Sequence, residues 1–456
     1  MNESKILAQY LANIRYENFD EETISTAKRV IFDVLTVSIG AADTKTALIW
    51  ADYLDGKNNS ALPKATLWNK DFPQFSYQQA AAYNGALAHM LDMDDVYAGA
   101  TIHLSGVTVP TALAIGQALN LSGKKVIEAV VAGYEAGARI AAAVNPESYQ
   151  FWHTTGTVGV VASAVTAGKL FGLDGEQMNH CLGNALSQAA GLWEFAEDAA
   201  MTKTLHNAHA AVAGIMVAEL CKRGFTGASK GLEGNRAFLK AMTPDNHIEK
   251  ILDGIGNGYC INDTSIKLYA CARHVHSGIC ALDELMKKFD MDPEHVMCIE
   301  DRAGAAACKA VANTPLINPY KHKFSMKYCM AAYLVYGNLL DDVFHQDKIE
   351  NPKVQMLMPK IQMIEDAEID AEGKNNPEMM LHEVTVTMDD GRTFEARSEF
   401  IRGDRRNPVS WEDQMDKFLK VVGERMGIEE ASTLCDNCKN MEALSNVNFL
   451  FDLKIG

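Results

Sequence analysis

The run HMLDMDDVYAGATIHLSG, residues 89–106, concentrates titratable side chains in a chain that is otherwise rich in alanine. Its histidines and aspartates are His89, His103, Asp92, Asp94 and Asp95. A solvated surface loop is the simplest interpretation of so many aspartates. Histidine, however, titrates near neutral pH, and a neighbouring carboxylate can orient it for proton transfer. The run is therefore a candidate acid–base site if other polar clusters meet it.

Later stretches also place polar groups inside apolar surroundings. His153 precedes an Ala/Gly-rich helix in HTTGTVG, where backbone N–H groups favour an anion. In TKTLHNAH, Lys203, His206 and His209 are spaced three apart and share one helical stripe. Two further segments, KLYACARHVHSG and KFSMKY, contribute Lys267, Arg273, His274, His276 and Tyr328.

Each of these residues also has an ordinary structural explanation. A lone lysine extends its amine to water, and a lone buried histidine is usually a hydrogen-bonded core group. His206 and His209 have a spacing that could bind zinc, but the sequence lacks an HExxH motif and a carboxylate at ligand spacing. Together, the groups would form a pocket of His, Lys and Arg with a few Asp, which suits a polycarboxylate.

The elements that must position these groups are mostly helical. Up to about residue 265, apolar residues recur three and four apart, as in ISTAKRVIFDVLTVSIGAA and GTVGVVASAVTAGKLFGLDG. GLDGEQMNHCLGNALSQAAGLWEF continues this pattern after an N-terminal Asp cap. Helices this rich in Ala and Gly are buried among other helices.

The pattern changes after residue 266. HEVTVTMDDGRTFEARSEF alternates across a D-G turn, which predicts a β-hairpin. NPVSWEDQMDKFLKVVGERMG then returns to an amphipathic helix with a start at Ser410. We predict a mainly α fold, in which a large all-helical domain is formed by both chain ends (1–265, completed by 399–456). A smaller inserted α+β lid domain covers 266–398.

Charge and composition restrict the function. The 456-residue chain carries a net charge of −17, which argues against a nucleic-acid partner. An anionic substrate would need a local basic cluster to overcome this field. The polar N-terminus lacks the features of a signal or transit peptide, and no apolar run is long enough to cross a bilayer. We therefore expect a cytoplasmic protein without a membrane partner.

The ten cysteines are scattered, as is usual for reduced thiols in a reducing compartment. Cys435 and Cys438 form one CxxC motif. A second CxxC or a nearby His pair would be needed to indicate a zinc site, and neither is present. The sequence leaves open whether this pair binds anything.

Several motifs resemble, in order and over nearly the whole chain, the MmgE/PrpD family. They are DMDD, GYE, HTTGTVG, LFGLD, TKTLH, KLYACARHVHSG, KFSMKY and GDRRNPVSWEDQMDKF. The family includes 2-methylcitrate dehydratase, cis-aconitate decarboxylase and iminodisuccinate epimerase. The resemblance implies a homodimer with a helical domain, an α+β lid and an active site between them, without metal or cofactor.

Carried over position by position, the resemblance implies two sets of site residues. The catalytic set is Asp94, His103, His153, Lys203, His276 and Tyr328. The substrate-binding set is His206, Lys267 and Arg273. We expect His103 and His153 to exchange protons and Arg273 to clamp a carboxylate with its planar fork.

The sequence departs from the family pattern beside these residues. It reads His103-Leu104-Ser105 where His-Pro-Ser or His-Pro-Gly is frequent, and Val96 where Thr is common. His209 and His274 add imidazoles outside the pattern. These departures leave the family assignment intact and make the substrate uncertain.

The three family reactions all pass through a species with extra negative charge on a carboxylate, which protein cations must stabilise. We expect a cofactor-independent lyase acting on a small di- or tricarboxylate, with 2-methylcitrate dehydratase-like chemistry favoured. Decarboxylation of cis-aconitate and epimerisation are the alternatives on this scaffold. A non-catalytic helical binding protein and a zinc hydrolase using His206 and His209 are the alternatives of another class.

Overall fold

The computed structural model describes residues 2–58, 61–69, 71–376 and 378–451. The chain is 60% helical with small sheets, which confirms the mainly α prediction. Among the described helices, none combines the length and the apolar character needed to cross a membrane.

The helices before the inserted segment are α1 Glu3–Asn13, α2 Glu21–Gly40, α3 Lys45–Leu54, α4 Tyr77–Ala88, α5 Ser105–Ala118, α6 Gly123–Val144, α7 Thr154–Thr157, α8 Gly159–Phe171, α9 Gly175–Leu186, α10 Phe195–Asp198, α11 Thr202–Lys222 and α12 Phe238–Met242. Those inside it are α13 Arg273–Phe289, α14 Ala305–Val311, α15 Pro319–His322, α16 Met326–Tyr336, α17 Gln346–Ile349, α18 Pro352–Leu357 and α19 Ala367–Asn375. The last two are α20 Trp411–Val422 and α21 Ile428–Lys439. The strands are β1 Lys64–Thr66, β2 Gln74–Ser76, β3 Val96–Tyr97, β4 Thr264–Ser265, β5 Val296–Ala303, β6 Ile361–Glu365, β7 His382–Met388 and β8 Thr393–Ser398.

The chain divides into two compact units. The first, the helical unit, comprises Met1–Thr264 and Ser410–Gly456, and the second, the inserted unit, comprises Ser265–Val409. Residues 399–409 are thus part of the inserted unit, and the chain returns to the helical unit at the start of α20.

Small residues set the close packing of the helical unit. A Cβ at Gly214 of α11 would lie 2.4 Å from Ser163 Oγ of α8, and one at Gly133 of α6 would collide with Thr166 of α8. The glycines therefore let three helix backbones approach one another closely. This packing surrounds α8, whose residues Val160, Val161, Ala164 and Val165 are fully buried.

Two predicted helix starts are confirmed by their caps. The Asp174 side chain accepts from the backbone N–H of Gln177 and closes a capping box at α9. Ser410 accepts from the N–H of Asp413 and starts α20 in the same way.

The helix predicted from GLDGEQMNHCLGNALSQAAGLWEF is shorter than the pattern suggests. Helix α9 ends at Leu186, and an irregular segment leads to α10. Gly191 within this segment has a φ of 129°, which no helix accommodates and which strongly favours glycine. The irregular segment matters because it contacts the histidines described below.

The inserted unit carries a four-stranded sheet in the order β6-β5-β7-β8. Strands β5 and β6 are parallel, and β7 pairs with β8 as the predicted antiparallel hairpin, with Thr387 opposite Thr393. Gly391 in the connecting turn has a φ of 87°. The D-G signal therefore located this hairpin correctly.

Candidate active site

The run 89–106 is a buried connection between two helices of the helical unit. His89 follows the last residue of α4, and Ser105 begins α5. Asp92 has a left-handed φ of 59°, which turns the chain sharply and allows the next aspartates to point inward. His89, Asp92, Asp94 and Asp95 are all buried, so the solvated-loop interpretation is wrong.

Asp94 lies between two imidazoles. Nδ1 of His89 is 2.6 Å from Asp94 Oδ2, and Nδ1 of His103 is 3.6 Å from the same oxygen. Burial alone would raise the pKa of Asp94, but the two histidines and the nearby Lys203 outweigh it and lower that pKa. Asp94 is therefore a buried carboxylate that stays ionised at neutral pH.

The hydrogen bonds of this group fix two tautomers. Nδ1 of His103 lies 2.7 Å from the carbonyl oxygen of Asp95. A carbonyl oxygen can only accept a hydrogen bond, so the neutral His103 ring carries its proton on Nδ1 and its lone pair on Nε2. In the same way, Nδ1–H of His89 donates to ionised Asp94. Because burial above all lowers the pKa of His89, this ring is neutral beside the carboxylate.

A second imidazole pair packs against the first. Nδ1 of His153 is 2.9 Å from Nδ1 of His206, and the ring of His153 stacks on His89 with centroids 5.4 Å apart. Trp193 and Phe195, from the segment after α9, cover His153 edge-on. This aromatic cover keeps the pair in apolar surroundings.

Burial, reinforced by the neighbouring imidazoles and Lys203, sets the charge of this pair. It holds the pKa of His153 well below its ordinary value and lowers the pKa of His206 to about 4. Both rings are therefore neutral at pH 7. Facing Nδ1 atoms in two neutral rings require one to donate and the other to accept.

Lys203 supplies the positive charge of the cluster. It lies in the first turn of α11, is buried, and forms an ion pair with the side chain of Asp92. The strained turn at Asp92 thus places a carboxylate against this lysine. The helical unit brings Asp94, His103, His153, Lys203 and His206 into one cluster.

Asp95 has a different role from Asp94. Its carboxylate accepts hydrogen bonds from Ser105 and, at 2.6 Å, from the hydroxyl of Tyr134 on α6. Burial raises its pKa to about 7. These bonds tie the loop to α5 and α6, while the backbone carbonyl of Asp95 orients His103.

The remaining predicted residues lie in the inserted unit. Lys267 and His276 are buried, and the ring of His276 packs on Tyr269 with centroids 5.1 Å apart. Beside them, burial raises the pKa of the Cys271 thiol, but a hydrogen bond with Cys329 and the charges of His276 and Lys267 lower it overall. Cys271 is therefore an unusually acidic thiol that sequence reasoning did not single out.

Arg273 begins α13, and burial lowers its pKa to about 10, against the opposing effect of Asp404. It remains a cation at neutral pH.

The hydroxyl of Tyr328 donates to the backbone carbonyl of Val343, and its ring packs against His322 with centroids 4.8 Å apart. Tyr328 is thus engaged within the inserted unit, and any proton donation from it would require this bond to open.

The first of the two additional histidines, His209, lies apart from His206. His209 lines an apolar groove with Trp50, Tyr53 and Met216, whereas His206 packs against His153. This separation disfavours a zinc hydrolase built on His206 and His209. In the inserted unit, burial lowers the pKa of His274 to about 4.

One trio has the composition of a metal site. His89, Asp94 and His103 each offer a ligand atom, and these atoms lie within 4.8 Å of one another. However, Nδ1 of His89 bonds Asp94 and Nδ1 of His103 bonds the Asp95 carbonyl. A metal bound at the two Nδ1 atoms would have to break both bonds, so we interpret the trio as an acid–base group.

Sequence reasoning missed His89 and Asn207 as members of the cluster. A Cβ at Gly106 would lie 2.6 Å from Asn207 Nδ2 and 3.5 Å from Asp94 Oδ2, so this glycine lets the amide approach the carboxylate. His89 begins the polar run 89–106, whereas Asn207 follows His206 directly and belongs to no motif of its own.

The CxxC motif lies on one face of α21. Cys435 and Cys438 are both buried, and burial raises the pKa of both thiols. Thiols with raised pKa values are poor nucleophiles and poor metal ligands. Their position is that of ordinary core residues.

Comparison with known proteins identifies the scaffold. The model of the MmgE/PrpD N-terminal domain matches residues 5–251, and that of the C-terminal domain matches residues 269–440. The chain belongs to the MmgE/PrpD family. The resemblance found in the sequence is therefore confirmed.

Several relatives of this MmgE/PrpD protein are similar over nearly their full length. Cis-aconitate decarboxylase of Homo sapiens is 25% identical, covering 98% of this chain and 94% of the human protein. Cis-aconitate decarboxylase of Aspergillus terreus is 24% identical, covering 98% of this chain and 94% of the fungal one. A cis-aconitate decarboxylase-like protein, oryM of Aspergillus oryzae, is 22% identical over 99% of this chain and 96% of its own.

Proposed function

We propose that this protein is a lyase that decarboxylates a small unsaturated polycarboxylate, with cis-aconitate as the first candidate. The observation that carries the proposal is the buried cluster around Asp94 in a chain that aligns end to end with cis-aconitate decarboxylases. The dehydration of 2-methylcitrate that we favoured from the sequence has less support, because these relatives share the name of the alternative activity.

Decarboxylation fits a site that holds both charge and exchangeable protons. Loss of CO₂ from cis-aconitate breaks a carbon–carbon bond and leaves its electron pair on carbon, delocalised toward a remaining carboxylate. One proton must then reach carbon, so the trianion and one proton become a dianion and CO₂. The protein must therefore stabilise a delocalised anion and deliver one proton.

The cluster supplies candidates for both tasks. We assign proton delivery to His103, because a carbonyl holds Nδ1 and Nε2 is therefore the nitrogen that gains and loses the proton. Ionised Asp94, 3.6 Å from that ring, favours the imidazolium form. Lys203 provides a buried cation for the developing negative charge.

His153 and His206 take a different part in this proposal. Because both rings are neutral at pH 7, they can donate hydrogen bonds to carboxylate oxygens of the substrate but do not act as proton-donating imidazolium ions. This assignment replaces the acid–base exchange between His103 and His153 that we expected from the sequence. In the inserted unit, Lys267 and Arg273 remain predicted substrate-binding residues, and His276 and Tyr328 remain predicted catalytic residues.

The experiment is proton NMR in D₂O with purified protein and, in separate samples, cis-aconitate, 2-methylcitrate, citrate and aspartate-derived dicarboxylates. We expect CO₂ loss from cis-aconitate, one deuteron incorporated at carbon per turnover, and no turnover by His103→Gln. Formation of an alkene from 2-methylcitrate would instead establish a dehydratase, and deuterium exchange at constant composition an epimerase. If no compound reacts and His103→Ala leaves ligand binding unchanged, the helical binding-protein alternative gains support.

A further inference from the structure

His89 is fully enclosed within the polar cluster of the helical unit. Its side chain has no exposed surface, and its ring lies between His103, at 4.8 Å between centroids, and His153, at 5.4 Å. Nε2 of His89 has no hydrogen-bond partner among the described residues. The ring therefore makes one polar contact of consequence, through Nδ1, to Asp94.

This contact determines the orientation of the Asp94 carboxylate. Oδ2, which accepts from His89 at 2.6 Å, is the same oxygen that faces His103 at 3.6 Å. Other charged groups compete for the carboxylate, above all Lys203, which is itself paired with Asp92. Without the bond from His89, Asp94 could rotate toward the lysine and away from His103.

We propose that His89 is a positioning residue, which holds the ionised carboxylate of Asp94 against His103 through its neutral Nδ1–H. The proposal rests on the function proposed above, in which His103 delivers the proton. His89 does not touch the reacting atoms in this scheme. It acts on His103 through Asp94.

The neutrality of His89 is as important as its hydrogen bond. A protonated His89 would cancel the charge of Asp94, and the carboxylate would no longer favour the imidazolium form of His103. Burial, opposed by Asp94 and reinforced by Lys203, lowers the pKa of His89 and prevents this. The groups that face the pair are His103, His153, Lys203, Asp92 and Asp95.

Two variants separate the hydrogen bond from the bulk of the side chain. In His89→Asn the amide nitrogen replaces Nδ1, so the donor to Asp94 is kept. In His89→Gln the amide lies one carbon further out, at the position of Nε2, so the donor is lost. The quantity measured is the pKa of His103, which is obtained from an NMR titration of the full-length protein with ¹³C-labelled histidine. The His103 signal is assigned by its absence in His103→Gln.

We expect His89→Gln to lower the pKa of His103 by about one unit, as for loss of an opposite charge within a few ångströms. The same variant should lower kcat about 10- to 100-fold, as loss of an orienting partner usually does. His89→Asn should restore most of both values. The alkaline limb of the pH–rate profile, where the proton donor His103 loses its proton, should move with the His103 pKa.

His382→Gln is the matched control. His382 and Asp301 form another buried His–Asp pair, 2.8 Å apart, in the sheet of the inserted unit. This variant should lower the melting temperature and leave the pKa of His103 unchanged.

An unchanged pKa of His103 in His89→Gln, or an Asn variant no better than Gln, would overturn the proposal. The NMR titration needs no substrate. If the wild-type protein turns over none of the compounds while the His103 pKa still responds to His89, the proposed function fails and the positioning by His89 stands.

Discussion

Nδ1 of His153 lies 2.9 Å from Nδ1 of His206, so the two rings share one hydrogen bond between facing nitrogens. A second proton on the accepting ring would break this bond, and a second proton on either ring would place a charge in a buried, partly aromatic environment. The pair is therefore stable only when both rings are neutral. This requirement ties the stability of the site to pH.

We expect the helical unit to lose stability in mild acid because of this pair. The pKa of His206 falls from 6.5 to about 4 in the folded protein, so between these values the unfolded chain binds more protons. Stability therefore falls as the pH drops through this window. His206→Gln should show a smaller loss of melting temperature than wild type between about pH 7 and pH 5, measured by calorimetry. An equal loss in both proteins would contradict the prediction.

Gly191 should be intolerant of a side chain because of the same pair. A Cβ there would lie 3.2 Å from His206 Nδ1, at a φ of 129°. We expect Gly191→Ala to displace His206 and lower kcat about tenfold, since small misplacements in a site are costly. The matched control is Gly172→Ala, at a φ of 71° with no atom within 4 Å. The control should cost about 1–2 kcal/mol of stability through backbone strain and leave kcat unchanged.

Asp94 and Asp95 should differ sharply although they are adjacent. Asp94→Asn removes the charge that faces His103, and we expect kcat to fall about 10²- to 10⁴-fold, the usual contribution of acid–base groups. Asp95→Asn should change kcat less than tenfold, because its carboxylate bonds Ser105 and Tyr134 and its backbone carbonyl remains. Steady-state kinetics on the same substrate would test both, and equal losses would show that our distinction is wrong.

The sequence predicted which segments would meet in the helical unit but not which side chains would contact one another. Periodicity and turn residues located α2, α8, α11 and the β7–β8 hairpin, because these signals are local. The resemblance singled out five residues that the fold gathers, and their roles remain predictions. That His209 leaves the cluster although it follows His206 by three residues depends on the helices packed around α11, which periodicity does not specify.

The tautomer of His103 and the charge state of His153 could not be predicted from the sequence either. The first depends on a backbone carbonyl at Asp95 and the second on burial, and residue types specify neither. The break after α9 was missed because Ala and Leu in that segment have high helix propensity, whereas Gly191 adopts a conformation that only the tertiary structure requires.

The homodimer implied by the resemblance can be tested on one surface of the helical unit. Ile49, Tyr53, Leu205 and Met216 are exposed around an apolar groove of about 700 Å³. We propose that a second copy of the chain covers it, since exposed apolar patches of this kind mark interfaces. Tyr53→Glu should convert a dimer to a monomer in light scattering, whereas Phe225→Glu, exposed elsewhere, should not. A monomeric wild-type protein would rule the proposal out.

Helix α20 contacts the backbone beside Asp94 through one buried lysine. Lys417 of α20 is buried, with Nζ 2.6 Å from Asp33 Oδ1 and 3.1 Å from the carbonyl oxygen of Met93, the residue before Asp94. Lys417→Met removes the cation from a buried pair, and we expect the free energy of unfolding to fall by about 3–5 kcal/mol.

Lys420→Met on the same helix breaks an exposed pair with Asp416 and should cost at most about 1 kcal/mol. Denaturant unfolding of both variants measures this difference. Because Lys417 also holds the backbone beside Asp94, its variant should lower kcat in the fraction that remains folded, and Lys420→Met should not. A Lys417→Met protein that unfolds more easily but keeps full kcat would show that α20 stabilises the helical unit without positioning Asp94.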